Sequence, residues 1–412
     1  MLAFAQPILY SDLSDVPLST MELARTLCKR SAREQGGWVK GATANVSLRT
    51  VPLEFDSEDF DESNQDAWLY EERVGFLRAQ AEWSQSLACL QVLPHLENLT
   101  VSTQYDVNPL STLVQGDDLN RPTALPSVEL LLSMPFLTSL THLALADLEH
   151  MAEHMASTFD QFGLLILAAP LLHTLSLNNV NAAPIFEPIL ARLEQNSGTQ
   201  LALRVLQYKE VLEVNHDVNS YVEDCIALLP RLPFVKDFRI AGGAVNFHLL
   251  DMDLQEERNT IHVEQLKVAL PDSESRKSYE DDWLDRLAQY FPAVQRLETD
   301  FEVRHSLPSP SAFPDLHHLM INYLDGETHA LHHLTDCLLF SGCFAKFSRV
   351  QFTVQGLSEG NLRAWFKRWS ERIKKWRADT AIETVVLACG GYRMTWVKVD
   401  YIFRLQSGFM DV

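Results

Sequence analysis

Three residues in the middle of the chain have the spacing of a zinc-binding helix. In the run His150 to His154, two histidines stand four residues apart with Glu153 between them. On a helix, residues at this spacing share a face, so both imidazoles could bind Zn²⁺ while the carboxylate takes a proton from a bound water. The pattern H-x-x-E-H therefore makes a zinc metallopeptidase one alternative function. The competing interpretation is a polar surface turn, because no third ligand can be identified.

Other residue types that could carry chemistry provide weaker evidence for a catalytic or metal site. His329, His332 and His333 cluster where a helix is expected, and they are interpreted as residues that cap or decorate it. Six scattered cysteines form no C-x-x-C pair and are expected to be free, buried thiols. The sequence contains no glycine-rich phosphate loop, nucleophile elbow or paired carboxylates placed after a strand. We therefore predict that the protein is not an enzyme and has no catalytic residues, metal site or cofactor.

A basic amphipathic segment spans residues 362–378. Its apolar residues recur at helical spacing, and they are Leu362, Trp365, Phe366, Trp369, Ile373 and Trp376. The intervening positions are mostly lysine and arginine, a pattern that can bind calmodulin or an anionic membrane surface. The alternative is an outer helix whose tryptophans pack on the strand at Phe347–Phe352 while its cations are solvated.

Composition narrows the class of partner. The 412 residues carry a formal net charge of −21, which opposes binding to nucleic acid and to anionic lipid. No apolar run approaches the roughly 20 residues that span a bilayer. The first ten residues lack the basic region of a secretory signal. The prediction is a cytoplasmic or nuclear protein whose partner is another protein.

The elements that would position all these residues form a repeat. The spacing L-x-x-L-x-L recurs along the chain, and from Leu143 onward the central positions are 22 to 35 residues apart. The copies are Leu96/Leu99/Val101, Leu140/Leu143/Leu145, Leu172/Leu175/Leu177, Leu203/Leu206/Tyr208, Val235/Phe238/Ile240, Val263/Leu266/Val268, Val294/Leu297/Thr299, Leu316/Leu319/Ile321, Phe347/Val350/Phe352 and Ile382/Val385/Leu387. A repeat at such a period is typical of a solenoid.

The order of elements within each repeat sets the fold class. Proline stands two residues before the first apolar position in five copies, where it ends a helix and begins an extended run; these are Pro94, Pro170, Pro233, Pro292 and Pro314. Helix-like runs precede several of them, at Val222–Leu229, Trp283–Tyr290 and Leu331–Phe340. The sequence therefore predicts an α/β, leucine-rich-repeat-like solenoid with a parallel concave sheet and outer helices.

The predicted solenoid begins after a short N-terminal segment. Residues 1–48 are interpreted as a linker helix and a first cap strand, with Val46 and Leu48 as the apolar alternation of that strand. Residues 49–412 are then a single elongated domain. The acidic run at 55–66 is expected to be a solvated loop.

The N-terminal segment resembles a known family. The runs Pro7–Leu13 and Leu23–Arg30 are similar to the segment that follows the F-box in fungal F-box proteins with leucine-rich-repeat-like domains. The resemblance implies the substrate-binding part of a ubiquitin-ligase adaptor. No F-box precedes residue 7, and contact with the cullin-ligase machinery would need one. An interaction scaffold without a ligase role is the alternative function.

The register of the repeat also predicts which residues line the concave face. Side chains next to the second and third apolar positions must point away from the core. The predicted binding residues are Asn178, Gln207, Lys209, Arg239, Lys267, Arg296, His318 and Arg349. Five cations on one face of an acidic chain favour an acidic or phosphorylated protein segment as partner. The alternative is that these cations only balance local acids such as Asp237, Glu298 and Asp300.

Overall fold

The structure is a computed structural model of the chain, and parts of the sequence are described in it. The described residues are 12–17, 39–47, 84–104, 128–146, 156–178, 180–195, 201–209, 222–241, 250, 261–269, 283–301, 312–323, 347–354, 367, 369–371, 373, 382–389, 392–399 and 402–408. The chain divides into two compact units, Met1–Lys209 and Glu210–Val412.

The first unit contains a parallel sheet in which each strand pairs with the strand before it in sequence. Its strands are β1 (Asp12–Pro17), β2 (Gly41–Ser47), β3 (Asn98–Gln104), β4 (His142–Ala146), β5 (Thr174–Asn178) and β6 (Val205–Lys209). Parallel neighbours require a crossover connection, and helices provide it between several of these strands.

The second unit repeats this arrangement and then changes direction. Its parallel strands are β7 (Asp237–Ala241), β8 (Gln265–Ala269), β9 (Arg296–Phe301), β10 (His318–Tyr323), β11 (Arg349–Val354) and β12 (Thr384–Cys389). They are followed by β13 (Tyr392–Val399) and β14 (Ile402–Gly408). Strand β13 pairs antiparallel with β12, and β14 pairs antiparallel with β13. The predicted α/β class with a mostly parallel sheet is confirmed; the antiparallel end was not predicted.

Helices connect several of the strands. They include α1 (Ala156–Ala168), α2 (Ala183–Gln195), α3 (Val222–Leu228) and α4 (Trp283–Ala288), with 3₁₀ segments at Val128–Ser133, Pro135–Thr138 and Leu229–Arg231. The predicted helix-like runs at 222–229 and 283–290 correspond to α3 and α4. The third run, at 331–340, lies outside the described residues.

The repeat positions form the strand side of the core, and helix residues such as Phe162, Ile185 and Leu287 form its other side. Every residue in the ten copies is buried, including the polar Thr299. Central positions stand opposite one another in the register, as Leu143, Leu175 and Leu206 do across β4, β5 and β6. Each strand thus adds a row of side chains to a core that continues along its sheet.

The five prolines have one structural role. Each is the second residue of a turn in which the N–H of the first core residue donates to the carbonyl of the residue before the proline; Leu172 to Ala169 and Val235 to Leu232 are examples, at 3.2 and 3.0 Å. Proline suits this position because its fixed φ matches the turn and its missing N–H is not needed there. The turn delivers the chain from the helix into the strand at a constant offset.

The N-terminal segment has more strand than the sequence predicts. The predicted cap strand overlaps β2, and β1 is an additional strand before it. Ala42 and Ala44, both buried, stand opposite Leu99 and Val101, so small residues occupy core positions of β2. The strand lacks the L-x-x-L-x-L pattern because alanine carries too little apolar signal, and the alternation at Val46 and Leu48 alone predicted it. The predicted linker helix at 23–30 lies outside the described residues.

We expect Leu175→Ala to destabilise the protein by about 2–5 kcal/mol, because Leu175 is fully buried between Leu143 and Leu206 and its loss leaves a cavity. Leu171→Ala removes the same atoms from a side chain that is 53% exposed, and should change stability by no more than about 0.5 kcal/mol. Chemical denaturation of both variants checks this, and equal effects would contradict the assigned register.

A second stability prediction concerns the contact between α1 and α2. A Cβ atom at Gly163 would lie 2.7 Å from the carbonyl oxygen of Ile185 and 2.7 Å from Cγ of Pro188. Helix propensity alone predicts that Gly163→Ala stabilises the protein by about 1 kcal/mol. We expect the opposite sign, a loss of about 1–3 kcal/mol, because the helices must move apart. Thermal and denaturant unfolding give the sign directly, and a gain in stability would show that the helices separate freely.

Candidate binding face of the parallel sheet

The face of each sheet opposite the core carries the predicted binding residues. In the second unit, we call this surface the polar face and define it by two rows of side chains. The first row is Asp237, Gln265, Arg296, His318 and Arg349, and the second is Arg239, Lys267, Glu298, Met320 and Gln351. Members of a row stand opposite one another on neighbouring strands, so their backbones are about 4.8 Å apart. The polar face thus brings together five of the predicted binding residues.

One arginine of the polar face is held by its own strand. The guanidinium of Arg239 donates through Nη2 to Asp237 at 2.7 Å and through Nε at 3.1 Å. The hydrogen bonds that Arg239 donates to Asp237 raise the pKa of Arg239, as do the charges of Asp237 and Glu298, although burial opposes them. This pair matches the interpretation in which face cations balance local acids.

The neighbouring lysine is also paired. Nζ of Lys267 donates to Oε1 of Glu298 at 2.7 Å, and Nδ2 of Asn322 donates to the same oxygen at 3.0 Å. Burial raises the pKa of Glu298, but the hydrogen bonds from Lys267 and Asn322 and the charges of Lys267 and Arg296 outweigh it, so the net shift is downward. Glu298 is therefore a fixed carboxylate that neutralises Lys267.

An open cavity lies over these two ion pairs. It has a volume of about 140 Å³ and is lined by Asp237, Arg239, Gln265, Leu266, Lys267, Arg296 and Glu298. Both cations and carboxylates line it, so it can accept a group that carries both donors and acceptors.

The remaining basic residues of the polar face have a different environment. Arg296 donates through Nη2 to Sδ of Met320 at 2.9 Å, and a thioether sulfur is a weak acceptor. Within the described part of the chain, neither Arg296 nor Arg349 forms an ion pair with a carboxylate. His318 lies between them in the register. Positive charge is therefore concentrated on β9, β10 and β11, where Glu298 acts on Arg296 and His318 only through its charge.

These positive charges act on one another. Burial, with the charges of Arg296 and Arg349, lowers the pKa of His318 to about 4, although Glu298 opposes the shift. Burial, with Arg393 and Arg296, lowers the pKa of Arg349. Arg393 stands opposite Ala388 on β13 and was not among the predicted residues. The signal for it was present, since Arg393, Thr395 and Val397 alternate with the core residues Met394 and Trp396.

The other predicted binding residues belong to the first unit. Asn178 stands opposite Lys209 across β5 and β6, and Gln207 stands opposite Ser176. Lys209 is exposed, and Ser176 Oγ donates to Oδ1 of Asn178 at 3.4 Å. The structure places these residues on the polar side of their own sheet, as the register predicts.

The outcomes for the remaining candidates differ. His150, Glu153, His154 and the cluster at 329–333 lie outside the described residues, so the zinc hypothesis stays a prediction. Of the basic helix, Trp369 is fully buried with its ring 6.1 Å from that of Phe352, while Lys367 is exposed. That packing is the one expected of an outer helix.

Two further observations concern chemistry and membranes. Cys225 is a buried free thiol, and burial together with Asp224 and Glu223 raises its pKa, which makes it unreactive. Among the described residues, no group of three or more His, Cys, Asp or Glu side chains could hold a metal ion. In the same residues, no helix has the length and apolar character needed to cross a bilayer.

Comparison with known proteins found no matching family model and no matching curated protein.

We expect His318 to make stability depend on pH. Its pKa is near 4 in the folded protein and about 6.5 when unfolded, so the unfolded state takes up the proton first as pH falls. The contribution of His318 to the free energy of unfolding is therefore complete above pH 6.5 and is lost as the pH falls towards 4. With solvent screening of this half-exposed group, we expect a loss of about 1–2 kcal/mol.

The measurement is denaturant unfolding at pH 7.5 and pH 4.5 for wild type, His318→Gln and His262→Gln. The first variant should lose less stability than wild type over this range. His262 is an exposed histidine on another segment, and its variant should lose as much stability as wild type. An identical pH dependence in all three proteins would contradict the assignment.

Proposed function

We propose that this protein is a protein-recognition module with a leucine-rich-repeat-like solenoid fold, and that the polar face receives its partner. The observation that carries the proposal is the alignment of charged, half-exposed side chains in rows across successive parallel strands. Such rows present a fixed pattern of donors and acceptors to an extended segment. Their cations stand out in a chain of net charge −21, and so favour an acidic segment.

Two forms of this function are considered, one implied by the sequence resemblance and one as its alternative. In one, the module is the substrate-binding part of a ubiquitin-ligase adaptor, and in the other it is a scaffold without a ligase role. Co-purification of the full chain from cells separates them, because only the adaptor should bring a cullin complex with it. The polar face would serve as the recognition surface in both.

We expect a photo-crosslinking amino acid at Gln207 or Gln351 to form discrete adducts with a partner in cells. Both positions lie on the polar side of a sheet, where half-exposed side chains can reach a bound segment. The same amino acid at Glu187 or Lys367, both exposed on helices, provides the matched control. Adducts only from the helix positions would move the binding surface away from the polar face.

Charge reversal then tests the contribution of the cations to the captured partner. Arg239→Glu with Lys267→Glu is compared with Lys367→Glu with Lys374→Glu, which reverses the same charge in the basic segment. The polar-face pair should weaken binding at least tenfold, because like charges would then face an acidic segment. Equal binding by both pairs would show that the partner does not use these cations.

A further inference from the structure

Three basic side chains of the first row lie on consecutive strands. Arg296 on β9 stands opposite His318 on β10, and His318 stands opposite Arg349 on β11. The two guanidinium groups therefore start from backbones about 10 Å apart, with the imidazole between them. This is the only place within the described polar face where basic residues follow one another on three strands.

Two nitrogen atoms of this group have no hydrogen-bond partner. Nε2 of His318 and Nε of Arg349 are both shielded from solvent and have no hydrogen-bond partner. A buried polar atom left in this state costs about 1–3 kcal/mol. Both side chains are only partly buried as a whole, so small rotations of the rings and guanidinium bring these nitrogens to a ligand that approaches the polar face.

The carboxylate of Glu298 does not supply the missing hydrogen-bond partner. Oε1 of Glu298 already accepts from Lys267 and Asn322, and Arg296 donates to the sulfur of Met320. By contrast, Arg239 in the second row has a bidentate carboxylate partner on its own strand. Among the described residues, the first-row group thus has no carboxylate in an ion pair with either arginine, and Glu298 acts on Arg296 and His318 only through its charge.

We propose that Arg296, His318 and Arg349 form a binding site for a phosphoryl group. Two guanidinium groups supply paired donors to its oxygens, and Nε2–H of His318 supplies a further one between them. A phosphoryl group presents three acceptor oxygens and a charge near −2 at neutral pH, which matches two uncompensated arginines better than a single carboxylate does. As the ligand of a protein-recognition module, the group would be carried on a phosphorylated segment, and in this respect the inference rests on the proposed function.

The site has its own spectroscopic reporter. The chain contains nine methionines, and Met320 contacts Arg296 directly. In full-length protein labelled with ¹³C at the methionine methyl groups, the Met320 signal can be assigned from Met320→Leu. Inorganic phosphate should shift this signal in a saturable manner, whereas sodium chloride at equal ionic strength should not. Met394, buried on the core side of β13, should report no change.

Matched variants identify the groups that bind. Arg296→Gln and Arg349→Gln should each weaken phosphate binding at least tenfold, and His318→Gln should weaken it to a smaller extent. Lys236→Gln and His262→Gln remove an ion-paired lysine and an exposed histidine outside the polar face, and both should bind phosphate as wild type does. No saturable shift of Met320, or equal loss in the control variants, would overturn the site.

The source of the phosphoryl group is tested with a short degenerate peptide library that has a central phosphoserine, and with its unphosphorylated twin. Tighter binding of the phosphorylated library than of free phosphate supports a protein-borne group. Binding of free phosphate with no gain from the peptide would overturn that part. If phosphate causes no shift of the Met320 signal while a crosslinker at Gln351 still captures a partner, the phosphoryl site is rejected. The proposed function would then still stand.

Discussion

One repeated backbone interaction sets the geometry of both sheets. At the entry to each successive strand, a single carbonyl of the preceding repeat accepts two consecutive N–H groups. Glu97 accepts from Thr141 and His142 at 2.8 and 2.9 Å, and Ser348 accepts from Glu383 and Thr384 at 2.8 and 3.0 Å. The same pattern occurs at Lys40, Thr141, His173, Lys236, Glu264, Gln295 and His317. Both lone pairs of the oxygen are used, so each strand begins at a fixed offset from the last.

The fixed offset has consequences on both sides of the sheet. A slip of one residue would exchange the core and polar faces, so burial of the leucine rows and the double hydrogen bond enforce the same register. On the core side this register places Leu266 opposite Leu297, and Leu297 opposite Leu319. On the polar side it stacks charges at a spacing of about 4.8 Å, where pairing or repulsion becomes significant.

The cations of the polar face have two kinds of environment. On β7 to β9, the acids Asp237 and Glu298 hold Arg239 and Lys267, and such half-exposed pairs contribute little net stability. On β9 to β11, three basic residues follow one another across the strands, and burial together with the neighbouring positive charges lowers the pKa values of His318 and Arg349, although Glu298 opposes the shift at His318. A surface that retains unfavourable charge in the free protein can recover that free energy when an anion binds.

The sequence alone determined the α/β class, the repeat copies and their core residues. It also determined which side chains share the polar face, since alternation along a strand and a constant period suffice for that. The tertiary structure decided what each cation does there. Arg349 lies in the first row and Arg239 in the second, and the sequence gives both as cations of the polar face. In the folded protein Asp237, two residues away on the same strand, holds Arg239, whereas Arg393 and Arg296 repel Arg349. The charges around Arg349 come from the β13 hairpin and from β9, two strands away, and neither is encoded in the spacing of a single repeat.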